Sequence, residues 1–150
     1  MRTLSSLYSG LLLSTLLVLG GCGYIPFSSG ALQGTVTPPP SDWTNAADPS
    51  IIELETNPAE PYSVKLWVIG LGPAAYVHAG ANRTTWVEHI ESNPDVRLLV
   101  DNNLYELRAT RVTSAEEFNT FSDAYESKYG NRPRNENVNE AYLFRLTARD

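Results

Sequence analysis

Two β-rich stretches joined by a tight glycine-proline turn constrain the fold of this chain more than any other feature. In residues 63–69, SVKLWVI, apolar side chains at the even positions alternate with Lys65, Trp67 and Ile69 at the odd ones. Successive side chains of a strand point to opposite faces, so this pattern predicts a half-buried strand. GLGP at 70–73 turns the chain, and AAYVHA at 74–79 returns as a second strand. The stretch predicts an antiparallel hairpin.

The remaining β-rich and helical patterns extend this hairpin into an α+β domain. Further strands are predicted at residues 50–56, 95–100, 104–112 and 141–148. The first of two helices is predicted at 85–92, ending before Pro94, and the second runs from Ser114 to a stop at Gly130. Hairpin-linked strands with few helices favour a small antiparallel β-barrel of about six strands with two helices.

Both helices begin with a Ser/Thr-x-x-Glu pattern. Thr85 and Glu88 form one such pair, and Ser114 and Glu117 form the other. In a capping box the hydroxyl and the carboxylate each bind a backbone amide that the helix leaves free. We therefore expect capping boxes at the start of both helices.

The first 22 residues indicate export and lipid attachment. Arg2 precedes the apolar run 11–19, which is shorter than the roughly 20 residues that span a bilayer. LGGC at 19–22 resembles a bacterial lipoprotein signal, in which cleavage precedes the cysteine. We expect residues 1–21 to be the signal peptide and Cys22 to carry acyl chains. Gly23 after the cysteine suggests, by the same resemblance, the outer membrane facing the periplasm if the organism has one.

The segment between the cysteine and the domain is rich in Pro, Ser and Gly. TPPP at 37–40 favours an extended polyproline conformation. Residues 22–48 are therefore predicted to form a semi-rigid tether. Trp43 is the exception in it, because a tryptophan in a tether often docks, and the sequence leaves open whether it does. Residues 49–150 form the predicted domain.

Composition and spacing argue against several classes of function. The sequence holds 17 acidic and 11 basic residues, and without Arg2 its net charge is about −7. Such a balance does not suit nucleic-acid binding. Cys22 is the only cysteine, and His78 and His89 lie eleven residues apart with no carboxylate grouping at ligand spacing, so no metal site is predicted.

The sequence also excludes two functional motifs, a nucleophile elbow and a dinucleotide-binding fingerprint. No G-x-S-x-G nucleophile elbow is present. Gly70, Gly72 and Ala75 match G-x-G-x-x-A, but a strand and not a helix follows, so the dinucleotide fingerprint does not apply.

The order of elements resembles the split β-barrel flavin-binding superfamily, which includes pyridoxamine-phosphate-oxidase-like proteins and deazaflavin-dependent nitroreductases. The resemblance covers about residues 50–148, and the domain of unknown function 2255 family is the nearest branch. It rests on LWVIG at 66–70, YVHAG at 76–80 followed by Trp86, NPDVRLLV leading into YELRATRV, and DAYESKYG at 123–130.

The resemblance implies a homodimer with FMN or a deazaflavin near the interface and its phosphate at a strand-to-helix turn. The residues implied to hold this cofactor are Lys65, Trp67, His78, Arg83, Thr84 and Trp86. Chemistry agrees in part, because a helix N-terminus offers free N–H groups and arginine adds a bidentate fork. The chain departs from the family in having His78 and Ala79 where that branch tends to place Arg and Ser.

Two functions stay open. The first is a lipid-anchored flavin protein that acts as an oxidoreductase. Such a protein needs no side-chain acid or base, because the cofactor carries the redox chemistry. The second is a barrel without a cofactor that serves the envelope as a binding or interaction module. A cation at Arg83 and Lys65 beside an open cleft at Trp67 favours the first function. Pairing of Arg83 with a surface carboxylate, together with a cleft filled by apolar side chains, would exclude the enzyme and favour the second.

Overall fold

A computed structural model describes residues 30–150. The predicted signal peptide and the predicted acylation of Cys22 therefore lie outside the described residues. The strands are β1 (Thr35–Val36), β2 (Ile51–Thr56), β3 (Tyr62–Leu71), β4 (Ala74–His78), β5 (Asp95–Val100), β6 (Asn103–Arg111) and β7 (Leu143–Ala148). The helices are α1 (Trp43–Ala46), α2 (Thr85–Ser92) and α3 (Ala115–Tyr129).

The strands from β2 to β7 form a closed antiparallel barrel. Their order is β6-β5-β2-β3-β4-β7, and β7 pairs again with β6 from Leu107 opposite Ala148 to Arg111 opposite Phe144. The two-residue strand β1 adds to β6 in parallel. The predicted α+β class and six-stranded antiparallel barrel are confirmed. Strand β1 and the four-residue helix α1 are additional elements.

Two-residue turns connect the strands of the β3–β4 and β5–β6 hairpins, at the positions that the sequence predicts. Gly72 and Pro73 join β3 to β4, and Gly72 has a φ of +50°. Asp101, with a φ of +54°, and Asn102 join β5 to β6. Glycine, asparagine and aspartate adopt these left-handed angles at least cost, so these residues fix the strand register.

The barrel interior is filled by the inward side chains of the strands and by one tryptophan from each of two short helices. Trp43 of α1 is fully buried and packs edge-on against Tyr105, with ring centroids 4.9 Å apart. Trp86 of α2 is 4% exposed and packs against Phe144 at 5.8 Å. Helix α1 lies at the barrel end that carries the β3–β4 turn, because the Trp43 amide donates to the Gly72 carbonyl.

The N-terminal segment, residues 30–48, lies against the barrel. This segment was predicted to be a tether, with the docking of Trp43 left open, but Trp43 and Leu32 are both buried and β1 pairs with β6. Gly70 permits the approach of α1, since a Cβ at that position would lie 2.0 Å from the Trp43 carbonyl oxygen. Residues 30–48 therefore form a segment that packs on the barrel, and not a free tether.

The predicted capping boxes form only in part. The Ser114 hydroxyl accepts a hydrogen bond from the Glu117 amide at 3.3 Å, as expected. The Glu117 carboxylate instead accepts from Arg145 and from the Tyr76 hydroxyl, which joins α3 to the barrel. The capping box predicted at Thr85 is wrong, because Thr84 is the N-cap of α2 and makes no side-chain cap bond.

Replacing the buried tryptophan of the N-terminal segment tests whether this segment belongs to the folded unit. We expect Trp43→Ala to lower the free energy of unfolding by about 3–5 kcal/mol, as for other fully buried aromatic residues. Trp67→Ala, which removes a tryptophan that is 47% exposed, is the matched control and should cost far less. Denaturant unfolding measures both. Equal, small losses would show that Trp43 contributes little to the core.

Candidate functional site

A cleft of about 230 Å³ opens on the outer wall of the barrel, between β3 and helix α3. We call it the Trp67 cleft. Its lining residues are Ile51, Lys65, Leu66, Trp67, Ile69, His78, Phe121 and Tyr125. The odd-numbered residues of β3 face outward because the even-numbered Val68 and its neighbours fill the barrel. The odd-numbered, outward-facing side chains of the predicted strand thus form the floor of this cleft.

Trp67 is the largest exposed apolar side chain of the cleft. Its ring stacks on Tyr129 with centroids 4.5 Å apart and planes 16° from parallel. The indole is nevertheless 47% exposed, and its cross-strand neighbour Ile51 is 56% exposed. Tyrosine supports one side of the indole, and much of the remaining aromatic surface is open to solvent.

The last turn of α3 fixes this aromatic pair in place. The Tyr129 hydroxyl lies 2.9 Å from the carbonyl oxygens of Ser50 and Val68. The Lys128 ammonium donates to the carbonyl oxygens of Ala47, Pro49 and Val68 at 2.6–3.1 Å, and burial lowers the pKa of Lys128. A helix end tied to the strand beneath it holds Trp67 in a preorganised position.

Lys65 places a positive charge at the same cleft. Its side chain is exposed on β3, one outward position before Trp67. Glu53 lies opposite it in the strand register, yet Lys65 forms no ion pair or hydrogen bond with the residues that the structure describes. The ammonium is therefore available to an anionic group.

His78 borders the cleft at the end of β4 and is surrounded by aromatic rings. Phe121, Phe118 and Tyr125 lie 5.6, 6.3 and 6.4 Å from it, centroid to centroid. Its Nε2 atom is buried and has no hydrogen-bond partner within residues 30–150. Burial lowers the pKa of His78 from 6.5 to about 4. The imidazole is therefore neutral near pH 7.

Three other predicted site residues lie away from the cleft, around α2. Arg83 donates from Nη1 to Glu88 at 2.7 Å and from Nε and Nη2 to Glu91 at 2.9 and 2.7 Å. These carboxylates raise the pKa of Arg83 further. The Thr84 hydroxyl oxygen is buried without a partner among the described side chains and backbone, and Trp86 fills the barrel. The six predicted residues thus divide into Lys65, Trp67 and His78 at the cleft and the other three elsewhere.

The cleft also includes residues that sequence analysis did not assign to a site. Phe121 and Tyr125 belong to α3, and Ile51 begins β2. The signal that links them is the aromatic spacing of α3 together with an exposed Trp67 on the strand beneath. Neither pattern reveals by itself that the two surfaces meet around an opening.

Two further observations concern metals and membranes. Within residues 30–150, no three His, Cys, Asp or Glu side chains are grouped so as to hold a metal ion. No helix in this part of the chain has the length and apolarity needed to cross a bilayer.

Comparison with solved structures supports the fold. The chain superimposes on the crystal structure of a candidate 5-nitroimidazole antibiotic resistance protein from Bacteroides thetaiotaomicron VPI-5482 with a TM-score of 0.53. The match has 11% sequence identity and covers 70% of this chain and 76% of that one. At this identity the likeness concerns the fold alone, which is a split β-barrel. No family model matches the sequence, and no curated protein matches it.

The burial of His78 predicts a pH-dependent stability. Its folded-state pKa of about 4 lies below its ordinary value of 6.5, so the unfolded chain binds the proton more readily. The stabilisation from a neutral His78 is complete above pH 6.5 and is lost as the pH falls towards 4. We expect this loss to reach up to about 3 kcal/mol. Urea unfolding at several pH values between 7.5 and 4 measures it.

Two variants separate this effect from the titration of carboxylates. His78→Gln cannot take up the proton and should flatten the decline between pH 6.5 and 4.5. His89→Gln alters the other histidine and should leave the decline as in the unmodified protein. An identical pH profile for His78→Gln and the unmodified protein would contradict the assignment.

Proposed function

We propose that this chain is a lipid-anchored protein of the bacterial cell envelope whose split barrel binds a flavin at the Trp67 cleft. The observation that carries the proposal is a half-exposed indole, held in place by Tyr129, next to an unpaired Lys65 ammonium. Within the superfamily it resembles, we assign the chain to the domain of unknown function 2255 branch. Attachment is through acyl chains on Cys22, at the outer membrane facing the periplasm in a Gram-negative cell.

The residues of the cleft suit the ring of a flavin. Planar heteroaromatic rings stack on aromatic side chains, which contributes about 1–3 kcal/mol per ring. Trp67 offers such a surface, and Tyr125 and Phe121 add apolar walls.

The start of α2 suits a phosphate less well than the resemblance implies. Arg83 already binds two glutamates, so a phosphate there would have to displace them or lie beside their negative charge. Lys65 is the cation that remains available at the cleft. We therefore assign the anionic end of FMN, or of a deazaflavin, to Lys65 and not to Arg83.

A bound flavin would supply hydride and electron transfer, which no side chain of this barrel provides. The protein's own residues would bind and orient the ring through Trp67 and attract its anionic end through Lys65. The neutral His78 would keep that side of the cleft uncharged near pH 7. An oxidoreductase activity would follow from these roles. A homodimer also remains a prediction.

The second candidate function is an envelope interaction module without a cofactor. The ion pairs of Arg83 with Glu88 and Glu91 favour it, because they occupy the arginine expected at a phosphate. The exposed neighbours Ile51 and Trp67 would then be the contact surface for a partner. Flavin titration decides between the two functions.

We expect purified protein to bind FMN saturably, with Trp67→Ala weakening the affinity about tenfold because a stacking surface is lost. Lys65→Ala should weaken FMN binding about fivefold by removing about 1 kcal/mol of charge interaction. It should leave riboflavin binding unchanged, since riboflavin has no phosphate. Quenching of flavin fluorescence measures each of these affinities.

Arg83→Ala is the matched control for Lys65→Ala, and it should leave the affinity for FMN unchanged. Weaker binding in Arg83→Ala with normal binding in Trp67→Ala would place the ligand at α2 and contradict the proposed site. A folded protein that binds neither FMN nor a deazaflavin at high micromolar concentration would favour the interaction module.

A further inference from the structure

The first residues that the structure describes are bound to one end of the barrel. The Ser63 hydroxyl donates to the Gly30 carbonyl oxygen at 2.8 Å. The Leu32 amide donates to the Glu55 carboxylate at 2.6 Å, and the Leu32 side chain is 5% exposed. Thr56 and Tyr62 flank the turn between β2 and β3, so these contacts lie at the end of the barrel that carries this turn.

Glu55 makes this attachment specific. Its side chain is buried, and its two oxygens accept from Nε and Nη2 of Arg97 at 2.7 and 2.6 Å. A buried carboxylate needs several donors, and the Leu32 amide completes the set beside the bidentate arginine. Detaching Leu32 would remove a donor from a buried charge. The attachment is thus built into the barrel wall.

The contacts continue along the rest of the N-terminal segment. The amides of Thr35 and Thr37 donate to the carbonyl oxygens of Asn102 and Leu104 at 2.8 and 3.0 Å. Trp43 then enters the core at the opposite end of the barrel. From Gly30 onward the chain belongs to the barrel and does not lengthen a tether.

The length of chain left for a tether is therefore short. Cys22 and Gly30 are separated by eight residue steps, which span at most about 29 Å when fully extended. A polyproline-like tether from Cys22 to residue 48 would span about 80 Å. The contacts of residues 30–48 remove most of that reach.

From these contacts we propose that the lipid anchor holds the barrel close to the bilayer, with the β2–β3 turn at the membrane-proximal end. This inference rests on the lipid anchoring proposed above, and the partner is a lipid bilayer surface. The ten residues of β3 separate that turn from the distal Gly72–Pro73 turn by about 33 Å. The short connection keeps the barrel near the bilayer, so the barrel itself needs no affinity for lipid.

The test uses energy transfer from a dye on the barrel to acceptor lipids. Full-length protein is produced with Glu60→Cys, an exposed residue of the proximal turn, or with Pro73→Cys, an exposed residue of the distal turn. Acylation leaves the new thiol as the only one available for labelling. The lipidated protein is reconstituted into vesicles of phosphatidylethanolamine and phosphatidylglycerol that contain the acceptor.

We expect transfer to be several-fold stronger from the Glu60→Cys position than from the Pro73→Cys position. Twenty Gly/Ser residues inserted after Phe27 should weaken transfer from the Glu60→Cys position several-fold. Equal transfer from both positions, or no response to the insertion, would overturn the proposal.

Two separate measurements distinguish this inference from the anchoring itself. Intact mass and palmitate labelling report the acyl groups on Cys22, and their absence would overturn both proposals. Hydrogen exchange reports the segment contacts, and slow exchange at Leu32, Thr35 and Thr37 is the expected result. Fast exchange at these amides in an acylated, folded protein would overturn the short tether alone.

Discussion

Closure of the sheet is the constraint on which the rest of this structure depends. Pairing of β6 with β7 leaves no free edge among the six barrel strands, and it encloses a space that side chains must fill. The strands alone do not fill it, so Trp43 and Trp86 enter from helices α1 and α2. The closed barrel thereby determines where the N-terminal segment must pack and why α2 buries its tryptophan.

The outer wall of the barrel determines where the cleft forms. Helix α3 covers part of β3 and β4 with Phe118 and Phe121, while its end is tied down through Lys128 and Tyr129. The cover is incomplete beside Trp67, and the cleft forms there. Its aromatic, singly charged lining is the physical basis for assigning a planar anionic ligand, and the similar solved structure supports the barrel and not the ligand.

Much of the fold could be predicted from the sequence because its signals are local. Alternation in residues 63–69, the turns at Gly72 and Asp101 and the Ser114 cap each act within a few residues. The packing of residues 30–48 could not be predicted in this way, because Gly70 admits α1 only through a contact distant in sequence. Proline and glycine content suggested a tether, whereas the buried Glu55 and its Leu32 donor hold the segment in place.

Part of the lining of the Trp67 cleft could be predicted from the sequence, again because the signals for it are local. Lys65 and Trp67 share one face of one strand, so their proximity follows from the alternation. The pairing of Arg83 depends on Glu88 and Glu91, which α2 places on one face three residues apart. That spacing was visible in the sequence, but the capping-box interpretation assigned Glu88 to the helix start.

The indole N–H resonances of the three tryptophans test whether FMN binds at the Trp67 cleft, because each resonance reports a different place in the protein. Trp67 lies at the cleft, Trp86 in α2 near Arg83, and Trp43 in the core. In a ¹H–¹⁵N spectrum recorded during addition of FMN, binding at the Trp67 cleft should move the Trp67 resonance and leave the other two in place. Movement of the Trp86 resonance with a fixed Trp67 resonance, or no movement at saturating FMN, would contradict it.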